Sequence, residues 1–222
     1  VLQPPDLREN ELWTGFATAI NNNGHAAGII NRQSPNFETF TFFWNGSLIK
    51  LTQGSNYYFD PMGMNDLDEI CGIDTNQRAV LWRVGDVFDL GDLGGPTAIA
   101  YAINNATQVV GGSAGQAFLW QINPETGLGE MMNLNETIPA DSGWFLAEAT
   151  GINDAGQIAG WGINPEGQRG FLLSPTLQVE WKAVDQNNLI DDNPNWNEGK
   201  RYFPDKASAS DQSPRNKVKV KV

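Results

Sequence analysis

A short pattern that occurs four times along the chain most constrains how it can fold. Each copy places Ile-Asn, or Met-Asn in the second copy, so that a glycine follows eight residues after the first residue of the pair. The copies begin at Ile20, Met64, Ile103 and Ile152, and their glycines are Gly28, Gly72, Gly111 and Gly160. The intervals between copies are 44, 39 and 49 residues, a range in which a sequence period indicates stacked supersecondary units. The chain is therefore predicted to be a repeat protein.

Each repeat is predicted to contain four short strands. In the first copy, residues 16–20 and 26–30 are apolar runs joined by a turn rich in Asn and Gly. Residues 40–44 and 47–51 flank Asn45-Gly46, and Asn-Gly between apolar runs is the strongest short-range signal for a hairpin. Equivalent third and fourth strands are predicted at residues 79–82, 117–120 and 170–173, and at residues 87–90, 131–134 and 181–184.

Repeats of about 44 residues with four strands each predict an all-β fold, a β-propeller-like array. A chain of 222 residues accommodates five such blades, of which the last would be shared by the two chain ends. An open array that does not close within one chain is the alternative. We expect a single domain over residues 1–222, with an N-terminal arm (1–15), the repeats (16–199) and a basic C-terminal segment (200–222).

The two ends of the chain are the source of the expected closure. Residues 188–196 resemble residues 135–144, which precede the fourth copy, so a fifth unit is expected near Ala207, although its glycine is missing. The chain ends in a strict Lys-Val alternation over residues 217–222, which predicts a strand with valines inward and lysines outward. We expect this strand to pair with the N-terminal arm, where Pro4-Pro5 excludes a central strand.

The charge is distributed unevenly. The net charge is −12; residues 1–199 hold 7 basic and 24 acidic side chains, whereas residues 200–222 hold 7 basic and 2 acidic ones. An acidic body repels phosphates, so no nucleic-acid partner is expected. The basic segment is expected to dock on the acidic body of its own chain or of a neighbour. No apolar run long enough for a transmembrane segment is present in the sequence.

Several stretches resemble the HAF repeats, a family of extracellular bacterial repeats, over about residues 16–192. The matching stretches are residues 89–95, residues 102–105 with 108–113, residues 116–120, and residues 138–144 leading into 151–157. The His of the His-Ala-Phe triplet is replaced by Gln116, Arg78 or Arg169. The resemblance implies secretion or surface exposure and a propeller-like β fold, and it supplies no activity to transfer.

The repeated polar residues favour structure over chemistry. Asn21, Asn65, Asn104 and Asn153 each begin a turn, where the amide can bond to nearby backbone, and the repeated glycines are expected to permit close packing or a bulge. An alternative is a weak calcium site, for which the candidates are Asp66, Asp68 and Glu69, or Asp86, Asp89 and Asp92. No other metal, no cofactor and no catalytic residue is predicted.

Single residues add little chemistry. His25 occupies a position that is Gln108 and Gln157 in other copies, and the lone Cys71 is expected to be a small buried residue. Trp44, Trp82 and Trp120 share one repeat position and are expected to pack in the core. Trp144 and Trp196 lie near loops, and stacking on sugar rings is the alternative to a core role for them.

Three functions remain open. The first is a non-enzymatic extracellular or cell-surface module that serves as a binding or assembly surface, with itself, an extracellular polysaccharide or a protein as partner. The second is a structural subunit of a filament or surface layer, assembled through the terminal strand residues Lys217, Val218, Lys219, Val220, Lys221 and Val222. The third is a five-bladed glycosidase, for which Asp66 and Asp154 are the candidate carboxylates.

Overall fold

The computed structural model describes residues 12–33, 38–51, 58–175 and 219–221. These residues form four antiparallel sheets of four strands each. Sheet 1 holds β1 (Trp13–Ile20), β2 (Ala26–Arg32), β3 (Glu38–Trp44) and β4 (Leu48–Leu51). Sheet 2 holds β5 (Phe59–Met64), β6 (Ile70–Asp74), β7 (Ala79–Arg83) and β8 (Asp86–Asp89). Sheet 3 holds β9 (Ala98–Ile103), β10 (Val109–Ser113), β11 (Gln116–Ile122) and β12 (Gly129–Asn133). Sheet 4 holds β13 (Phe145–Ile152), β14 (Ile158–Asn164), β15 (Gly167–Ser174) and β16 (Lys219–Lys221).

The all-β prediction and the four-stranded repeat are therefore confirmed. In each sheet the strands are neighbours in sequence order, and each sheet begins with the strand that ends at a repeated Ile-Asn or Met-Asn pair. A single turn of 3₁₀ helix, Leu134–Glu136, follows β12. No helix in the described part of the chain has the length and hydropathy to cross a bilayer.

The C-terminal strand lies elsewhere than the sequence predicted. β16 completes sheet 4 by pairing with β15, with Leu173 opposite Val220, whereas the sequence placed this strand in a fifth blade shared with the N-terminal arm. Alternation predicts that residues 217–222 form a strand but does not name its neighbour, and the edge of β15 offers unpaired backbone groups. The described ranges contain four sheets. The predicted strand at residues 181–184, the unit near Ala207 and residues 1–11 of the predicted arm (1–15) lie outside them. The end of that arm belongs to the first repeat, because β1 already begins at Trp13.

The repeated glycines make room for a bulge. The first two strands of every sheet shift register near the glycine, and a Cβ on Gly111 would overlap the carbonyl oxygen of Ile99. The same Cβ would lie 2.6 Å from the ring of Phe118, which pairs with Gly111 across the strands. Gly160 repeats this arrangement with Glu148 and Phe171. The predicted role in close packing and bulging is confirmed.

The sheets stack in chain order, because the first strand of each sheet packs on the sheet before it. Side chains of the third strand alternate between the two neighbouring sheets. Val80 joins the apolar cluster between sheets 1 and 2, and Leu81 joins the cluster between sheets 2 and 3. A third cluster, with Leu119, Leu146 and Phe171, fills the space between sheets 3 and 4.

Candidate functional site

The turn after the first strand of each sheet is built on the repeated asparagine. The Asn65 side-chain oxygen accepts hydrogen bonds from the backbone N–H groups of Leu67 and Glu69, both at 3.0 Å. Asn104 accepts in the same way from Ala106 and Gln108. These contacts satisfy backbone donors that the chain reversal would otherwise leave unpaired. The prediction that the repeated asparagines are structural turn residues is confirmed.

The same asparagines also link successive repeats. Nδ2 of Asn21 donates to the carbonyl oxygen of Asn65 at 3.0 Å, Nδ2 of Asn65 to that of Asn104 at 3.1 Å, and Nδ2 of Asn104 to that of Asn153 at 3.0 Å. Asn65 and Asn104 are buried. Because water cannot reach these two amides, the loss of one of their hydrogen bonds would lower the stability of the fold.

A second row of contacts runs beside the first, through the residue that follows each asparagine. Asn22 donates to Asp66 through its backbone N–H and through Nδ2, both at 2.9 Å. Asn105 donates to Asp154 in the same way, at 2.8 and 3.0 Å. Between these pairs, Asp66 N–H donates to Asn105 Oδ1 at 2.8 Å, and Asn105 Nδ2 donates to Asp66 Oδ2 at 3.0 Å.

We call the two rows together the edge ladder: the inner row is Asn21, Asn65, Asn104 and Asn153, and the outer row is Asn22, Asp66, Asn105 and Asp154. The outer row alternates between amide and carboxylate, so each side-chain amide Nδ2 in it donates to a carboxylate oxygen. Hydrogen bonds from the Asn22 side chain, the Asn22 backbone and Asn105 hold the pKa of Asp66 below its ordinary value. Asp66 is therefore a charged acceptor at neutral pH.

The two ends of the edge ladder are open within the described residues. At the sheet 4 end, Asn153 is exposed and its Nδ2 donates to Gln157 of the same turn. At the sheet 1 end, the carbonyl oxygen of Asn21 accepts from Gly24 N–H, but no preceding asparagine in the described chain donates to it. Within the described residues, the Asn153 amide and the Asn21 carbonyl oxygen therefore bond only within their own turns, and neither has a partner in a further repeat.

The acidic residues considered for calcium have other partners. Glu69 is buried, and its carboxylate accepts hydrogen bonds from Arg83 Nε at 2.8 Å, Thr107 Oγ1 at 2.7 Å and Asn65 Nδ2 at 2.6 Å. Asp68 accepts from Asn21 Nδ2 at 2.7 Å and contacts His25 Nδ1 at 2.7 Å.

The second acidic group is also engaged locally. Asp89 accepts from Arg78 at 2.9 Å, and Asp92 caps a turn by accepting from Gly94 N–H at 2.7 Å. Asp86 is exposed at the start of β8. Among the described residues, no three His, Cys, Asp or Glu side chains are grouped so as to hold a metal ion.

The aromatic and sulfur candidates pack as side chains of the core. Trp82 and Trp120 contribute to the clusters between sheets, and Trp44 packs on the outer cluster of sheet 1. Trp144 is half-buried against the cluster that joins sheets 3 and 4. Cys71 is fully buried, as predicted. Trp196 lies outside the described residues.

The residues proposed for assembly through the chain end are described only in part. β16 pairs with β15 of its own chain, so adding this strand through the same edge to a neighbour's sheet would require its exchange between copies. Lys217, Val218 and Val222 lie outside the described ranges, and the predicted inward valines and outward lysines stay a prediction.

A half-buried polar group between sheets 3 and 4 could not be predicted from the sequence. Trp161 Nε1 donates to Glu148 Oε2 at 3.0 Å. Burial, and then the charge and hydrogen bond of Glu148, raise the pKa of Tyr101. No repeated motif marks these residues, because the position of Glu148 is occupied by Phe16, Asp60 and Ile99 in the other first strands.

Some apolar side chains on the outer sides of the first and last sheets are exposed, although Ile30, Phe40 and Phe42 of sheet 1 are buried. Leu172 stands at the position that pairs with the second strand next to the repeated glycine, as Leu81 and Leu119 do in their sheets. Leu81 is 2% exposed, whereas Leu172 is 42% exposed. Ala159, the partner of Leu172, is also exposed, although its counterparts Cys71 and Val110 are fully buried.

Apolar residues on the first strand of sheet 1 are also more exposed than their equivalents in other sheets. Ile20 is 72% exposed, whereas the equivalent Ile103 is 8% exposed because it packs between sheets 2 and 3. Ala17 is exposed, and its counterparts Ala100 and Ala149 are fully buried. We call the exposed pair on sheet 4, Ala159 and Leu172, the tail face.

Comparisons with protein-family models, with curated proteins and with solved structures returned no match.

Proposed function

We propose that this chain is a non-enzymatic extracellular module of β-propeller type that binds partners through its tail face. The observation that carries the proposal is the exposure of Leu172, at a position that is buried in every other sheet. Contiguous apolar side chains left open on a polar surface are typical of interaction sites. The module is expected to bind itself, an extracellular protein or a polysaccharide.

The use of the candidate carboxylates supports a non-enzymatic role. A glycosidase needs one carboxyl group that is protonated at working pH and a second that faces it across a substrate cleft. Asp66 has a lowered pKa, and Asn105 stands between Asp66 and Asp154, bonded to both. These contacts suit two structural acceptors in the edge ladder.

The extracellular location and the propeller-type arrangement have separate support. The location follows from the resemblance to HAF repeats. The arrangement is favoured by the packing of each first strand on the first strand of the next sheet, as inner strands of neighbouring blades do.

Thiol labelling of the tail face tests the proposed interaction surface. The experiment uses Leu172→Cys in a Cys71→Ala background, with Leu119→Cys as the matched buried control. In dilute solution Leu172→Cys should react with a maleimide at nearly the rate of an unfolded thiol, and Leu119→Cys should be strongly protected. Equal protection of both variants at high dilution would overturn the proposal, because the chain itself would then cover the tail face.

An assay of polysaccharide hydrolysis tests the non-enzymatic role. We expect no release of reducing ends by the purified chain from a panel of bacterial polysaccharides. Turnover that is present in the unmodified chain and lost in Asp66→Asn or Asp154→Asn would promote the glycosidase hypothesis in its place.

A further inference from the structure

We infer that Asn45 is a site of spontaneous modification, at which the Asn45-Gly46 dipeptide closes into a succinimide ring and opens to aspartate or isoaspartate. The other Asn-Gly dipeptide, Asn23-Gly24, is protected by two residues of the edge ladder. The sequence contains Asn-Gly at these two places and nowhere else. Water is the one reactant that the reaction takes from outside the chain.

The reaction joins two neighbouring groups of the same chain. The backbone nitrogen of Gly46 loses its proton and attacks Cγ of Asn45. The new N–Cγ bond forms, the Cγ–Nδ2 bond breaks, and Nδ2 leaves as ammonia. Because both groups belong to one chain, no encounter between molecules is needed. Glycine favours the reaction because it has no Cβ to hinder the attack or the backbone rotation that precedes it.

Water then opens the ring at one of its two carbonyl groups. Cleavage of the bond between Cγ and the glycine nitrogen restores the main chain and leaves aspartate at position 45. Cleavage at the main-chain carbonyl of residue 45 leaves isoaspartate, in which the main chain runs through Cβ and Cγ. Both products carry a carboxyl group in place of the side-chain amide, and nothing is oxidised or reduced.

The two Asn-Gly dipeptides are alike in exposure and in glycine conformation. Asn23, Gly24, Asn45 and Gly46 are all exposed. The φ angle is 75° at Gly24 and 102° at Gly46, so both glycines have a positive φ. The two sites differ instead in the hydrogen bonds of the groups that would react.

The reacting groups of Asn23-Gly24 are held by Asn21 and Asp66 of the edge ladder. Gly24 N–H donates to the carbonyl oxygen of Asn21 at 3.1 Å, and Asn23 Nδ2 donates to the carbonyl oxygen of Asp66 at 2.8 Å. The first contact retains the proton that the Gly24 nitrogen must lose. The second contact restrains the Asn23 side chain from turning toward that nitrogen. Both hydrogen bonds therefore oppose closure of the ring.

The same groups of Asn45-Gly46 lack such contacts. The dipeptide lies in the three-residue loop between β3 and β4. Among the described residues, neither Gly46 N–H nor Asn45 Nδ2 donates a hydrogen bond. Asn45 Oδ1 accepts a long hydrogen bond from Ser47 N–H at 3.4 Å. Negative charge develops on this oxygen when Cγ is attacked, so the Ser47 contact does not oppose the reaction.

The modification changes the β3–β4 hairpin of sheet 1 in two ways. It adds a negative charge to a chain whose formal net charge is already −12. Isoaspartate also lengthens the main chain of the loop between Trp44 and Leu48, which are directly paired. Because the loop is exposed, we expect the modified chain to stay folded, with the change confined to this hairpin.

Peptide mapping of the full chain tests the inference. The two dipeptides fall on different tryptic peptides, residues 9–32 and 33–50, and fragmentation in the mass spectrometer places the exchange of NH for O at one asparagine. The purified chain is incubated at mildly alkaline pH, once folded and once in denaturant, and circular dichroism checks the folded sample.

In denaturant the two asparagines should convert at similar rates. In the folded chain Asn45 should stay within about threefold of its denatured rate, whereas Asn23 should be slowed at least about tenfold, since two hydrogen bonds must first break. An isoaspartate-specific methyltransferase should label the products, because ring opening yields isoaspartate and direct hydrolysis of the amide does not.

Asn45→Gln is the matched control. Its side chain is one methylene group longer, so attack by the same backbone nitrogen would need a larger ring, and the peptide over residues 33–50 should show no conversion at position 45. The comparison between Asn23 and Asn45 is made in the unmodified chain, so it does not depend on the folding of this variant.

Two results would overturn the inference. One is a folded chain in which Asn23 converts as fast as Asn45 or faster, because the contacts to Asn21 and Asp66 would then give no protection. The other is conversion of Asn45 to aspartate without isoaspartate, because the succinimide ring would then not be the intermediate.

Discussion

Asn105 donates two hydrogen bonds to the carboxylate of Asp154, one from its backbone N–H to Oδ1 at 2.8 Å and one from Nδ2 to Oδ2 at 3.0 Å. The two residues are 49 positions apart and belong to different sheets. Asn22 donates to Asp66 in the same way, between sheets 1 and 2. Because amides alternate with carboxylates along this row, the side chains favour one order of the repeats. If one repeat were skipped in the stacking, Asp66 and Asp154 would become neighbours and their charges would repel each other.

The buried inner row should contribute strongly to stability. Asn104→Ala removes the acceptor for two backbone N–H groups and the donor to the Asn153 carbonyl, in a residue that is 3% exposed. We expect a loss of about 2–3 kcal/mol in the free energy of unfolding, measured by urea denaturation of the dilute chain. Asn153→Ala, at the exposed end, is the control and should cost less than about 1 kcal/mol. Equal losses of unfolding free energy in the two variants would show that the hydrogen bond from Asn104 to the Asn153 carbonyl adds nothing to the stability provided by the turn contacts.

The repeated glycine should be the least replaceable residue of the repeat. In Gly111→Ala the new methyl group would overlap the Ile99 carbonyl and the Phe118 ring, so the bulge or the ring must move. We expect a loss of about 3 kcal/mol or a failure to fold, seen as a lower melting temperature or insoluble expression. Gly151→Ala is the control, since a methyl group at that position would meet no atom within 4 Å beyond its own chain neighbours. It should change stability by less than about 0.5 kcal/mol.

The repeat itself could be predicted from the sequence because its determinants are local. Asn before a turn, a glycine eight residues after the anchor and Asn-Gly between apolar runs act within one hairpin, and the strands are found where these signals place them. Cys71 follows from the same alignment, since the other copies carry a small apolar residue at its position.

The edge ladder could not be predicted, because it depends on how separate repeats stack. In the sequence Asp66 and Asp154 look like ordinary turn carboxylates. Only the structure shows that Nδ2 of Asn105, in the neighbouring repeat, lies 3.0 Å from a carboxylate oxygen of each. The exposure of Leu172 could not be predicted for a related reason. Its position in the repeat is that of a core residue, and it is exposed because no further sheet covers it in the described part of the chain. The neighbour of β16 was equally undetermined, since an alternating strand fits any unpaired edge.

Cys71 should be chemically silent in the folded chain. Burial raises the pKa of its thiol to about 12, so the thiolate fraction at mildly alkaline pH is about a thousandfold lower than for an ordinary thiol. We expect a correspondingly slow reaction with Ellman's reagent until denaturant unfolds the chain, after which one thiol per chain reacts. Val84→Cys, at a turn residue that is 90% exposed, is the positive control. Rapid labelling of native Cys71 would show that β6 opens readily.

Acid should destabilise the protein partly through Asp74. This carboxylate is 5% exposed; burial acts to raise its pKa, but hydrogen bonds and charge from Arg78, with Nη2 at 2.6 Å from Oδ2, outweigh burial and lower the pKa below its ordinary value of 3.8. A depressed pKa in the folded state means that the unfolded chain binds the proton first as pH falls. The stabilisation is therefore complete above the ordinary value and is lost as pH falls through the lower, folded value.

Urea denaturation at a series of pH values checks this expectation with the Asp74→Asn variant. At neutral pH the variant should be less stable by about 2 kcal/mol, because hydrogen bonds to a charged group are replaced by weaker ones. Below pH 3.8 its stability should fall less steeply than that of the unmodified chain, since position 74 no longer titrates. Asp141→Asn, an exposed loop carboxyl, is the matched control and should leave the steep fall in place. Parallel curves for the unmodified chain and Asp74→Asn would show that the Arg78 contact does not survive in solution.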